Sequence, residues 1–116
     1  GAWVEGAKLV PADCSAYDYF GFSVSISDTT AVIGAFWDDS WSGSAYIQNL
    51  RTVLEDARPL TSHKLVAADG NNGDNFGISV SISGATAIVG APYHDPRGSG
   101  SGSAYIFTAA DAANLG

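Results

Sequence analysis

The chain has 116 residues, 46% of them hydrophobic and 15% charged, with 12 Asp and Glu against 5 Lys and Arg for a net charge of −7. This composition excludes a disordered chain, and the acidic balance excludes the basic footprint of a nucleic-acid surface. No apolar run approaches the length of a membrane-spanning helix, and a single cysteine, Cys14, excludes a disulfide framework within the chain.

In chain order, residues 3–10, with Trp3 and Lys8-Leu9-Val10, read as an outer strand, and residues 11–18 as a polar connection. In residues 23–27 three serines alternate with Val24 and Ile26, which is the period of a strand. Asp28-Thr29-Thr30 is short enough for a tight hairpin. Residues 31–35 are an uninterrupted run of small apolar side chains, predicting a strand covered on both faces. The serines of the preceding strand are small enough to let a neighbouring sheet approach closely. A third strand is predicted over residues 43–48. In residues 49–59, Leu50, Val53, Leu54 and Ala57 fall at helical spacing and Pro59 would stop a helix, so a short helical turn or irregular excursion is expected. Residues 60–67 read as an outer strand and residues 69–74 as a loop. The strand signals then recur through residues 76–107, and residues 108–116 receive no assignment.

The recurrence has a fixed period. Phe20-Gly21 and Phe76-Gly77, Gly34-Ala35 and Gly90-Ala91, and Lys8-Leu9-Val10 and Lys64-Leu65-Val66 are each 56 residues apart. Ser44-Ala45-Tyr46-Ile47 and Ser103-Ala104-Tyr105-Ile106 are 59 apart, so the second copy carries three extra residues, placed within residues 96–102. Four short antiparallel strands per period, with Gly-rich loops between them, form the pattern of a propeller blade.

Phe-Gly, Ser-Val-Ser-Ile-Ser, Gly-Ala-Pro and Ser-Ala-Tyr, in that order, resemble the FG-GAP repeat, which builds the propeller heads of integrin α-subunits. The resemblance covers nearly the whole chain, with Phe36 standing in the first copy where the family usually has proline. It implies an all-β fold of two four-stranded antiparallel blades. The expected units are residues 8–63 and 64–116, with residues 1–10 adding an outer strand. A repeat unit cannot bury its hydrophobic face alone, so a partial propeller, or one protomer of an assembled propeller, is expected. Such repeats often hold calcium in an Asp-rich hairpin before the Gly-Ala-Pro strand. Here those hairpins, Asp28-Thr29-Thr30 and Gly84-Ala85-Thr86, contain one carboxylate between them, whereas calcium takes six to eight oxygens. No cofactor is therefore expected.

Three groups of residues are candidates for a site. Asp69, Asn71 and Asp74 resemble half a calcium loop but lack the bidentate Glu and spacing of an EF-hand, and turn residues of this kind commonly bond their own backbone. Asp38, Asp39, His94 and Asp95 follow the two Gly-Ala strands at equivalent positions, where ligand binding and turn capping compete as readings. His94 beside Asp95 raises acid–base or nucleophilic chemistry, but no nucleophile elbow or zinc-ligand cluster accompanies it. Trp37, Trp41 and Tyr93 can stack on sugars or anchor a protein, or else cover a neighbouring blade.

The expected function is a non-catalytic adhesion, scaffold or structural module, extracellular or at the cell surface. Its expected partners are other protein chains or further blades of the same protein, with no nucleic acid and no membrane span in this segment. A lectin-like carbohydrate binder and an accessory domain of a secreted enzyme are the alternatives.

Overall fold

The computed structural model describes residues 2–6, 8–13, 15–50, 62–94 and 100–108, without the side chains of residues 39, 40 and 62. Residues 51–59 of the helical turn expected over 49–59, Cys14, Asp95, most of the insertion at 96–102 and the C-terminal residues 109–116 lie outside the described residues.

The alternating segment forms β1 (Ser23–Ser27) and the apolar run forms β2 (Thr30–Ala35). They are joined by a hairpin that pairs Ser27 with Thr30 and places Asp28 at a left-handed φ of 50°. A one-turn helix, α1 (Asp38–Trp41), precedes β3 (Ser44–Asn49). β4 (Ser62–Leu65) closes the first sheet in the order β1-β2-β3-β4, antiparallel throughout. The second sheet has the order β5-β6-β7, formed by β5 (Ser79–Ser83), β6 (Thr86–Ala91) and β7 (Ser103–Thr108). The registers repeat: Ser23 faces Gly34 as Ser79 faces Gly90, and Ile33 faces Tyr46 as Val89 faces Tyr105.

One expectation is corrected. Residues 3–10 form no strand where described: a strand exists only in a ladder, and the outer edge of β3 is occupied by β4. The all-β fold of two antiparallel sheets is as expected, with four strands in the first sheet and three in the second among the described residues. The segment around Lys64 pairs with β3 and completes the first sheet. The double coverage expected of residues 31–35 holds in β2, where all five are buried, whereas in β6 Ile88 reaches solvent.

The two sheets pack with the serine face of β1 against the apolar face of β5. Ser23 Oγ donates to the Gly77 carbonyl at 2.8 Å, while the Ile82 and Gly84 N–H groups donate to Ser25 Oγ at 3.2 Å and Ser27 Oγ at 3.0 Å. The small serines thus admit a neighbouring sheet and also hydrogen-bond it. Between the sheets lies one core of Val32, Ala45, Ile47, Phe76, Ile82, Ala87, Val89 and Ala91. Phe76 is its largest fully buried side chain and meets Tyr105 and Phe107 edge-to-face at 5.4 and 5.9 Å.

Truncating a fully buried Phe removes its transfer free energy and leaves a cavity. Phe76→Ala is therefore expected to destabilise the chain by about 3–5 kcal/mol. Val24→Ala, at an exposed position, should change stability by no more than about 0.5 kcal/mol. Urea denaturation of both variants checks the contrast.

Candidate functional site

The loops that follow the two Gly-Ala strands are built alike. The Trp37 N–H donates to the Asp18 carbonyl at 3.3 Å, and the Tyr93 N–H donates to the Asp74 carbonyl at the same distance. Below them the Ser15 and Asn71 N–H groups donate to Asp18 Oδ2 and Asp74 Oδ2, each at 2.8 Å. Each pair is 56 residues apart. Asp74 therefore does bond its own loop backbone, as a turn residue.

A polar network sits on each frame. In the first unit Lys64, on β4, pairs with Asp38 Oδ2 at 2.7 Å and Asp13 Oδ2 at 2.9 Å. Ser44 Oγ donates to Asp38 Oδ2 at 2.7 Å and the Tyr46 hydroxyl donates to Asp13 Oδ1 at 3.0 Å. In the second unit the cation comes from the loop after β6. His94 Nδ1 lies 2.9 Å from Asp74 Oδ2 and Nε2 lies 3.1 Å from Asp69 Oδ2, while the Tyr105 hydroxyl donates to Asp69 Oδ1 at 2.7 Å. Asp13 and Asp69 correspond, as do Tyr46 and Tyr105, and His94 takes the position of Asp38.

These contacts set the protonation of the groups. Burial alone would lower the Lys64 pKa, but its hydrogen bonds to Asp38 and Asp13 outweigh that and raise it. The Lys64 hydrogen bond holds Asp13 below the usual carboxylate range. The hydrogen bond from Tyr105 does the same for Asp69, with help from His94. Burial, and then the bond to Asp69, push Tyr105 up to about 12. Asp74 first, and Asp69 second, raise His94 above the ordinary histidine range against the opposing effect of burial. With a carboxylate oxygen at each ring nitrogen, the imidazolium form satisfies both contacts.

The aromatic candidates divide. Trp37 and Trp41 come together with ring centroids 5.4 Å apart. Tyr19, Phe36 and Phe22 extend this group: Tyr19 meets Trp37 edge-on at 4.9 Å and Phe22 meets Phe36 at 4.7 Å. Trp41 ends α1 at a left-handed φ of 70°, uncommon for a bulky residue, and is 53% exposed. Tyr93 occupies in the second unit the position of Trp37 and makes no ring contact with Trp37 or Trp41 among the described residues.

Of the other candidates, Asp38 is a buried ion-pair partner and His94 a buried link between two carboxylates. The side chain of Asp39 and all of Asp95 lie outside the described residues. Among the described residues no group of three His, Cys, Asp or Glu is placed to hold a metal ion. The sequence reading missed Asp13, Asp18, Lys64, Tyr46 and Tyr105. The 56-residue offset linking Asp13 to Asp69 and Asp18 to Asp74 is the signal that could have found the loop carboxylates.

Two antiparallel sheets stacked face to face, each built from the same strand-hairpin-strand-loop-strand unit, are blades of β-propeller type. A family model for the FG-GAP repeat matches residues 3–48 and 61–107, and the chain belongs to that family, in two tandem copies. FG-GAP repeats occur mostly in extracellular or cell-surface proteins. No curated protein matches the sequence.

The His94 link has a defined pH dependence. Its folded-state pKa is raised, so the stability it contributes is complete below the ordinary histidine pKa and lost as pH rises through the raised value. The groups facing it are Asp74, Asp69 and Tyr105, and the Asp69 carboxyl is itself held below the usual carboxylate range. Hydrogen exchange of β6 and β7 should therefore quicken, beyond the intrinsic chemical trend, as pH rises above the ordinary histidine pKa of about 6.5, while β2 and β3 follow that trend. His94→Gln should remove the excess.

Proposed function

We propose that this chain is a non-catalytic interaction module of a secreted or cell-surface protein, working through protein–protein contacts. The observation that carries this reading is the part-exposed aromatic group of Tyr19, Phe22, Trp37 and Trp41, gathered around the buried Phe36 at the loop end of the first sheet. Large aromatic side chains bury much area at low entropic cost and anchor protein interfaces. The family's usual setting outside the cell supports the same reading. The non-catalytic reading is supported by His94: both ring nitrogens face carboxylates of its own loops, leaving neither for a substrate.

A carbohydrate-binding function is the second reading, favoured by the exposed ring of Trp41 beside Trp37. Cell adhesion to the immobilised chain, before and after enzymatic deglycosylation of the cells, separates the two. Protein contacts predict adhesion that survives deglycosylation; sugar stacking predicts its loss together with signals on a glycan array. Trp41→Ala should weaken either kind of binding by about tenfold or more, the effect of losing an interface anchor. Unchanged adhesion by this variant would remove the aromatic group from the function.

We further propose that the chain folds without calcium. The Asp69 and Asp74 carboxylates are engaged by Tyr105, His94 and the Asn71 N–H, so a cation would have to displace contacts already made. A chelator should leave the melting temperature unchanged, and Asp74→Asn should lower it equally with and without added calcium.

A further inference from the structure

One peptide group spans the two loop networks. Asp74 and Asn75 are consecutive, so the Asp74 carbonyl and the Asn75 N–H lie in the same rigid plane. The carbonyl accepts from the Tyr93 N–H at 3.3 Å, and the N–H donates to the Trp41 carbonyl at 2.8 Å. One end of that plane therefore faces the loop of His94, and the other holds the backbone of the exposed tryptophan in the first unit.

The Asp74 side chain anchors the plane. Its Oδ2 accepts from the Asn71 N–H at 2.8 Å and lies 2.9 Å from His94 Nδ1. The described titratable groups around His94 are Asp74 and Asp69 on the loop before β5, Tyr105 on β7 with its ring centroid 6.0 Å away, and Tyr93 next to it in the chain. An imidazolium donates to both carboxylates, whereas a neutral imidazole has one N–H for oxygens at 2.9 and 3.1 Å. The Asp69 side chain is 65% exposed and can turn to water. The Asp74 side chain is 8% exposed, and without the imidazolium it loses the cation that makes its burial tolerable.

Trp41 is poised to respond. Its φ of 70° is a conformation that a bulky residue keeps only while its contacts hold it. From the first unit, its N–H donates to the Trp37 carbonyl at 3.2 Å, and the Gly43 N–H donates to the Asp38 carbonyl at 2.9 Å. Asp38 is paired there with Lys64, which stays charged across the range in which a histidine titrates. From the second unit comes the Asn75 bond and, one residue behind it, His94.

We propose that the protonation state of His94 regulates the aromatic surface of the first unit: the imidazolium holds the Asp74-Asn75 peptide, that peptide holds Trp41 in its left-handed conformation, and loss of the proton loosens the ring. The surface is then formed while His94 is charged and loosened as pH rises through its titration. As a regulation of binding, this rests on the protein-contact reading of that surface; the coupling itself is measured on the chain alone.

Fluorine NMR of the chain labelled with fluorotryptophan tests it, with the three signals assigned by Trp3→Phe, Trp37→Phe and Trp41→Phe. The Trp41 signal should shift with pH at the same midpoint as the His94 ring protons, and the Trp3 signal should not. Asp69→Asn removes a carboxylate that favours the imidazolium, so it should lower the His94 and Trp41 midpoints together and by the same amount. His94→Gln should hold the Trp41 signal at its high-pH position throughout, and His63→Gln should leave the titration unchanged. A Trp41 signal that stays constant through the His94 titration, that follows His63 instead, or whose midpoint separates from that of His94 in Asp69→Asn would overturn the proposal. Because the readout needs no partner, adhesion that ignores Trp41→Ala would remove the binding reading alone.

Discussion

The structure depends on one close approach, the seating of Asn75-Phe76-Gly77 against the first sheet. Asn75 N–H donates to the Trp41 carbonyl at 2.8 Å, Phe76 N–H donates to the Ser42 carbonyl at 3.1 Å, and Gly77 lies over Gly34. Gly77 has φ of 99°, and Gly43 forms a parallel bridge to Phe76. Two backbones can meet this closely only where side chains are absent, which is why Gly34, Gly43 and Gly77 stand at the contact. From that seating the rest follows: Phe76 enters the core, β5 starts at the height of β1, and the three serines of β1 come within hydrogen-bonding reach of the second sheet. The Phe-Gly and Gly-Ala motifs are thus two halves of one joint.

The loop networks answer a second constraint. Asp38 and Asp74 are buried, and a buried charge needs both hydrogen bonds and an opposite charge to be tolerated. The two units meet this need by different means on one frame. The first brings a lysine across from β4; the second puts a histidine where the first has an aspartate. The lysine stays charged at any ordinary pH because its contacts raise an already high pKa, whereas the histidine titrates. Two repeats of nearly identical fold therefore differ in their response to pH, and the difference traces to the chemistry of one position.

Most of the strands are legible in the sequence because their signal is local. The alternation at 23–27 and 79–83 and the apolar runs at 31–35 and 87–91 each specify a strand and its facing without reference to other elements. What depends on pairing is not legible in the same way. Residues 8–10 and 64–66 share the triplet Lys-Leu-Val, but only the second begins beside a free strand edge, so only it yields a strand. The four residues of α1 are too few to show a period, and the turn follows from the carbonyl positions that the Asn75-Phe76 seating requires. Lys64 reads as a strand marker until β4 is placed beside β3, when it comes within reach of Asp38 and Asp13. Trp37 and Tyr93 look like members of one aromatic group, but the period that makes them similar also places them in different units.

Positions that obey the 56-residue offset hold the fold, so positions that break it are where function has room to differ. Trp41 is the clearest case. Its counterpart across the 59-residue offset is Gly100, and both residues adopt a left-handed conformation, with φ of 70° and 81°. Glycine adopts it without steric cost, whereas a tryptophan there carries strain of about 1–3 kcal/mol that the surrounding contacts must hold in place. Stability would favour glycine at both positions. Tryptophan instead holds an exposed ring over the loop, tilted against Trp37 and fixed by the hydrogen bond that its own carbonyl accepts from Asn75. A strained, exposed, rigidly held aromatic adds little to the core that a smaller residue would not also allow. Its use is to present a preformed surface outward, and preformation lowers the entropic cost of binding whatever docks there.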